Sequence, residues 1–298
     1  MNEDFDIVKW REENPMDYLK TVELINSYSD PKDKNNVFET IYKITRLHIP
    51  DTLYKFISLT DDKELNEEKL KTFRQQQIFM SDAKYLNDPF DNKAFFYDPQ
   101  KLSDIERLAP HGGKLIDNFS TMVKVSALTT NDYTSMPMWA HYANNHNGFC
   151  ISYDPKLKEN AILCGTTFPV QYTNKRIDIT ESMKQYTLYV ISEFEKQSIQ
   201  GKARIDLDDL SMLFRSTLFY NIKHETWAYE KEFRSTVGES AKNMPYLPAI
   251  PKEVYVGLKC ADEYVTKIKE IAELINIPAY RTVFDELNPE FTLSLERI

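Results

Sequence analysis

The stretch that most constrains the fold is Pro137 to Asp154, PMWAHYANNHNGFCISYD. Its second half alternates Phe149, Ile151 and Tyr153 with Cys150, Ser152 and Asp154, the period of two expected of a strand with one face buried. Gly148 opens that strand. In the first half Met138, Trp139 and Tyr142 fall at i, i+1 and i+4, which suits one helical turn with its apolar side toward a core. A helical turn, a polar loop and a strand therefore follow one another within eighteen residues. The large rings have two uses here: they fill a core, or they wall a site whose polar rim is His141 and His146.

Glycine narrows the choice of chemistry. The chain has seven in 298 residues, and none forms a Gly-x-Gly-x-x-Gly turn or a Gly-x-x-x-x-Gly-Lys-Ser/Thr loop, so a nucleotide would be held by other means. A net charge of -9 argues against a broad basic face for nucleic acid. With 42% hydrophobic and 28% charged residues the composition is that of a globular protein with a substantial core. Cys150, Cys164 and Cys260 are odd in number and without a Cys-x-x-Cys pair, which fits a reducing compartment and hence a cytoplasmic protein. The charged start MNEDFDIVKWREEN has no apolar signal core, and no run approaches the roughly 18 apolar residues that span a bilayer, so no membrane partner is expected.

Along the chain, two apolar stripes within residues 1–50 predict a helical N-terminal extension, with a turn at Ser29, Asp30 and Pro31. Residues 53–59 read as a buried strand, 66–77 as a helix and 78–81 as a short strand. Tyr85 to Asp91, YLNDPFD, should hold a turn started by Asx side chains. Further strands are predicted at 123–129, 168–172, 233–237, 249–258, 279–284 and 291–295. Helices are expected at 179–200, 207–222 and 262–275. The pattern gives an α+β fold, a single domain with a mixed or mostly antiparallel central β-structure and peripheral helices. The core domain would span 51–298, with a helical insertion at about 179–222.

Two carboxylates, Glu230 and Glu232, flank Lys231 at the mouth of the strand that carries Arg234. On extended backbone these three share a face, so the glutamates repel unless the arginine intervenes. They form either a surface ladder of Glu, Glu and Arg or a reactive carboxylate pair.

Taken together, LYKF, NDPFD, MWAHY with HNGFCISYD, and WAYEKEFR resemble a widespread bacterial family known as domain of unknown function 2971, over about Leu53 to Leu258. The order of three elements is also similar to that of ADP-ribosyltransferases: Lys55 on a first strand, Ser126 with Thr129 on a later one, and Glu-x-Glu before a third. Lys55 stands where that superfamily has Arg or His, and a strict Ser-Thr-Ser is missing. This resemblance implies a split central sheet and NAD as substrate, held by Lys55 and Ser126. It implies that Glu232 stabilises the ribosyl cation, with Glu230 assisting, in transfer to an acceptor macromolecule or in NAD glycohydrolysis. Residue type adds Trp139 or Tyr142 as a stacking platform, with Asn87 and His141 as hydrogen-bonding partners of the nucleotide. Such an activity would fit a toxin or phage-defence effector, and no metal is expected.

Two rival readings remain open. A metal-dependent hydrolase or nuclease would use Asp88, Asp91, His141 and His146, although His-x-x-x-x-His is not a zinc-helix spacing. A non-catalytic binding module would use the helices within 1–50 and 179–222 to contact a partner.

Overall fold

The computed structural model describes residues 49–91, 93–114, 123–202, 220–238, 245–287 and 289–298. The expected N-terminal helices and nearly all of the helix expected at 207–222 lie outside the described residues. The fold is α+β around a mixed, mostly antiparallel sheet. Its residues group into two compact units.

The first unit, drawn from His48–Ser81, Lys124–Val170 and Trp227–Ile298, holds the main sheet. The principal strands are β1 (Leu53–Ser58), β2 (Val123–Thr129), β3 (Gly148–Tyr153), β4 (Thr167–Pro169), β5 (Glu232–Gly238), β6 (Pro251–Val256), β7 (Ala279–Val283) and β8 (Ser294–Arg297). They lie in the order β8-β7-β6-β3-β1-β2-β5-β4, and a short ninth strand, Ser81–Asp82, pairs beside β2. β6 and β7 are parallel, whereas β3 pairs antiparallel with both β1 and β6.

One face is covered by α1 (Lys63–Arg74), α3 (Ala161–Thr166) and α5 (Asp262–Leu274), which bring Leu70, Phe73, Leu163, Ile268 and Ala272 into a core with Phe149, Ile151 and Val254. The other is covered by α2 (Met136–Tyr142), whose Met138 and Trp139 pack with Phe56, Cys150 and Tyr255. β3 is consequently buried along its whole length. Its alternation does not separate core from solvent, as the sequence suggests, but two cores from each other. A central strand with helices on both faces has no wet side.

Helix α1 begins three residues before the expected Asn66, because Asp62 caps it by accepting from the Leu65 amide at 3.0 Å. Asn66 is instead a buried polar node: its Nδ2 donates to Thr60 O at 2.7 Å and to the Tyr264 hydroxyl at 2.9 Å. α5 carries Lys267 between Glu263, one turn back, and Glu67 of α1, at 2.8 and 2.7 Å. The strand expected at 168–172 is two pieces, since the chain changes partner after Val170. The Val170 amide donates to Glu232 O, and the Gln171 amide to Asn221 O. The last strand starts at Ser294, leaving Phe291 fully exposed.

The described residues of the second unit come from Asp82–Val123 and Gln171–Thr226. α4 (Thr180–Ile199) packs Met183 with Phe95, Leu102, Ile105 and Ile179. Two short parallel pairs join Phe95–Phe96 to Ile177–Asp178 and Gln171–Thr173 to Ile222–His224. The NDPFD turn forms as its Asx residues suggest. The Asp88 carboxylate accepts from the Phe90 amide, and its carbonyl from the Asp91 amide, both at 2.9 Å. Among the described residues no helix is long and apolar enough to cross a membrane.

Candidate functional site

The sheet has a seam. β1 and β3 keep register over six residue pairs, but β1 meets β2 at one, Tyr54 with Thr129. Beyond that pair the Lys55 side chain takes over the connection. Its Nζ donates to Ser126 Oγ at 2.7 Å and to Ala127 O at 3.2 Å. Lys55 keeps some exposed area yet is densely hemmed in, and burial lowers its pKa to about 8, with the negative charge of Glu232 partly opposing the shift. Lys55, Ser126 and Glu232 thus occupy one electrostatic neighbourhood.

The segment before β5 is fastened to the end of β2. Thr129 Oγ1 donates to Glu230 O at 2.5 Å, and Asn131 Nδ2 donates to Tyr229 O and Glu230 O at 2.7 and 3.0 Å. Glu230 ends a 3-10 turn, and Lys231 then takes a left-handed φ of 46°. That conformation breaks the extended geometry on which a shared face for the two glutamates depends. Each carboxylate has its own partner: Glu230 accepts from the Tyr142 hydroxyl, and Glu232 accepts from Arg234 Nε at 2.7 Å and a terminal guanidinium nitrogen at 3.1 Å. Glu230, Glu232 and Arg234 are 2%, 5% and 1% exposed. The surface ladder is therefore excluded; this is a buried, charge-assisted network.

Trp139 belongs to the core. It has no exposed area, donates its indole N–H to Tyr133 O at 2.7 Å, meets Phe56 edge-on and stacks on His146. Neither face of the ring is left for a ligand. His141 is exposed, on the last turn of α2, and Tyr142 is partly exposed. Sequence reasoning passed over Tyr229: its ring lies 6.2 Å from His141 and 6.2 Å from Trp227. The signal was present in the WAYE of the motif, where two rings fall within the three residues before the glutamate. Asn87 is exposed in the second unit.

The loop between α2 and β3 is strained and tightly pinned. Asn144, Asn145 and His146 all have left-handed φ, at 48°, 54° and 72°. Asn144 Nδ2 donates to Leu59 O at 2.7 Å, the His146 amide to Trp139 O, and the Lys259 amide to His146 O. Burial, with the positive charge of Lys259, lowers the His146 pKa. Asp88 and Asp91 belong to the second unit, and His141 and His146 to the first. Among the described residues no three His, Cys, Asp or Glu side chains are grouped so as to hold a metal ion. No disulfide joins the three cysteines.

No curated protein and no solved structure matches the chain. Residues 138–235, from α2 through the buried Glu232–Arg234 pair, match the family model described as a protein of unknown function, DUF2971.

Proposed function

We propose that the chain is an NAD-consuming enzyme of ADP-ribosyltransferase-like type, acting at the seam of the main sheet. One observation carries the reading: the strands bearing Lys55, Ser126 and Glu232 are consecutive neighbours in the order β1-β2-β5, although their motifs are far apart in sequence. In this reading Lys55 and Ser126 meet the anionic and hydroxyl groups of the dinucleotide where the strands part. Cleavage of the ribose–nicotinamide bond sends its electron pair to nicotinamide and leaves positive charge on the sugar. A carboxylate already oriented costs no reorganisation as that charge develops. Glu232 is that carboxylate, with Arg234 as its positioning residue and Glu230 held beside it by Tyr142. The exposed rings of His141 and Tyr229 replace Trp139 as the stacking surface. Water or an acceptor nucleophile then captures the sugar, chemistry that a toxin or phage-defence effector could use.

The test is release of nicotinamide from NAD by the purified chain, with water alone and with protein and nucleic-acid acceptors. Tyr142→Phe removes the bond to Glu230 while keeping the ring, so release should fall at least about tenfold with the fold intact. No release with any acceptor, and no shift of the melting temperature by NAD, rejects the reading. One observation favours a non-catalytic binding module instead: both oxygens of Glu232 are engaged by Arg234. That module predicts an NAD-induced thermal shift without turnover.

A further inference from the structure

The second unit contains a cavity of about 300 Å³ that the chemistry of the main sheet does not use. It lies where Gln171–Thr173 runs parallel to Ile222–His224, so that the ends of both strands and the loop after the first contribute its wall. Phe90, Ala94 and Ile222 supply an apolar side, with Phe90 54% exposed. Lys175, Arg176, Lys223 and His224 also line it. None of the described residues lining the cavity is a carboxylate, in a chain that carries 46 acidic and 37 basic residues. The charged residues of this otherwise apolar and neutral lining are all basic, which favours a ligand that carries negative charge.

The loop that carries Lys175 and Arg176 is held in place. Thr173 Oγ1 accepts from the Lys175 amide at 3.2 Å and donates to Lys175 O at 3.3 Å, closing the loop. Arg176 is fixed by donating to Lys93 O and Phe95 O at 2.6 and 2.7 Å. The Thr226 amide donates to His224 Nδ1, so the neutral ring carries its proton on Nε2 as a donor. Lys223 is held in the wall with 3% exposure.

We infer that this cavity is a binding site for a mononucleotide, with the base against Phe90, Ala94 and Ile222 and the phosphate beside the exposed Lys175 of the loop. The volume is at the lower end for small-molecule sites and suits one nucleotide better than two. A planar ring that carries an anionic group answers both the apolar and the basic residues of the lining. The site is independent of NAD turnover at the seam.

Calorimetric titration of the full chain with AMP, GMP, CMP and UMP tests the inference, with the matching nucleoside and inorganic phosphate as separate arms. At least one mononucleotide should bind below millimolar Kd, more weakly as salt rises, and nucleoside and phosphate should each bind at least about tenfold more weakly. The exposed residues allow substitution without loss of the fold: Phe90→Ala and Lys175→Ala should each weaken binding about tenfold and leave nicotinamide release unchanged. No binding by any mononucleotide overturns the inference. So does binding unaffected by both substitutions, or inorganic phosphate binding as tightly as the nucleotide. Failure of the NAD reading would silence nicotinamide release and leave these titrations as they are.

Discussion

The Lys55 ammonium lies 2.7 Å from Ser126 Oγ and 3.2 Å from Ala127 O, at the place where β1 and β2 stop pairing through their backbones. A ladder of amide bonds has been replaced by one flexible cation. Two parts of the sheet, β8-β7-β6-β3-β1 and β2-β5-β4, share the core in which Leu128 and Phe233 meet Phe149 and Ile151, but pair edge to edge through one register pair, with the Lys55 side chain beside it.

Lys55 gives the protein a pH dependence with a definite sign. Its folded pKa is lowered to about 8, below the value of 10.5 for an unrestrained lysine. Between those values the unfolded chain binds the extra proton, so this group's contribution to stability rises with pH through the window. Lys55→Met has no such proton to release. Urea midpoints of parent and variant from pH 7.5 to 9.5 should diverge in the parent's favour as pH rises, because titrations common to both cancel. Parallel profiles would mean that the lysine is not held in a charge-averse place.

Glu232 and Arg234 make a buried bidentate pair, so their loss should be felt by the fold. Glu232→Gln leaves the guanidinium buried against a neutral amide, and breaking such pairs costs about 3–5 kcal/mol. Replacing both, Glu232→Gln with Arg234→Met, removes the orphaned charge and should recover much of that loss. A double-mutant cycle by chemical denaturation measures it. A cost of about 1 kcal/mol or less for the single change would return the pair to the weight of a surface bridge. Loss of turnover in Glu232→Gln must accordingly be read beside its melting curve.

Much of the fold was legible because period-two runs such as Val123–Thr129 and the 3.6 period of Asp262–Leu274 coincide with elements. What escaped depends on partners. The alternation in β3 shows two faces but not that both are covered, since α2 arrives from one side and α1 and α5 from the other. The i, i+2 rule for Glu230 and Glu232 fails at Lys231, whose left-handed φ has no glycine or asparagine to announce it. The motif order paired Lys55 with Ser126, and the two side chains touch. Residue type alone chose Trp139, and large rings serve cores more often than ligands. Tyr229 was missed because exposure on a short turn leaves no periodic trace.

Trp139 makes the clearest core prediction. The ring is fully enclosed, with its N–H satisfied and Phe56 and His146 against it, so Trp139→Ala should destabilise by about 3–5 kcal/mol. Trp139→Phe keeps part of the volume but leaves Tyr133 O without its donor, and should cost less. Thermal melts of both rank them. A variant with Ala that melts like the parent would put the ring back among ligand contacts.

The loop from α2 to β3 predicts two substitutions of opposite sign three residues apart. At Asn145, exposed and at φ 54°, a side chain is a burden: left-handed backbone crowds Cβ, and asparagine only lessens the penalty. Asn145→Gly removes the crowding but gives the unfolded chain more freedom, so the net gain should be a few tenths to about 1 kcal/mol; Asn145→Ala should lose about 1 kcal/mol. At Gly148 a side chain has no room at all. A Cβ there would lie 2.1 Å from Ile57 O, a backbone atom fixed by the β1–β3 ladder, and the Gly148 carbonyl is itself bound by the Gly257 amide at 2.8 Å. Gly148→Ala must therefore push β1 away from β3 at the heart of the sheet, which should cost several kcal/mol or prevent folding. Stability measured for Asn145→Gly, Asn145→Ala and Gly148→Ala should run in that descending order. If Asn145→Ala proved as stable as Asn145→Gly, Asn145 would not be held in the left-handed region and the pinned geometry of the loop would fail with it.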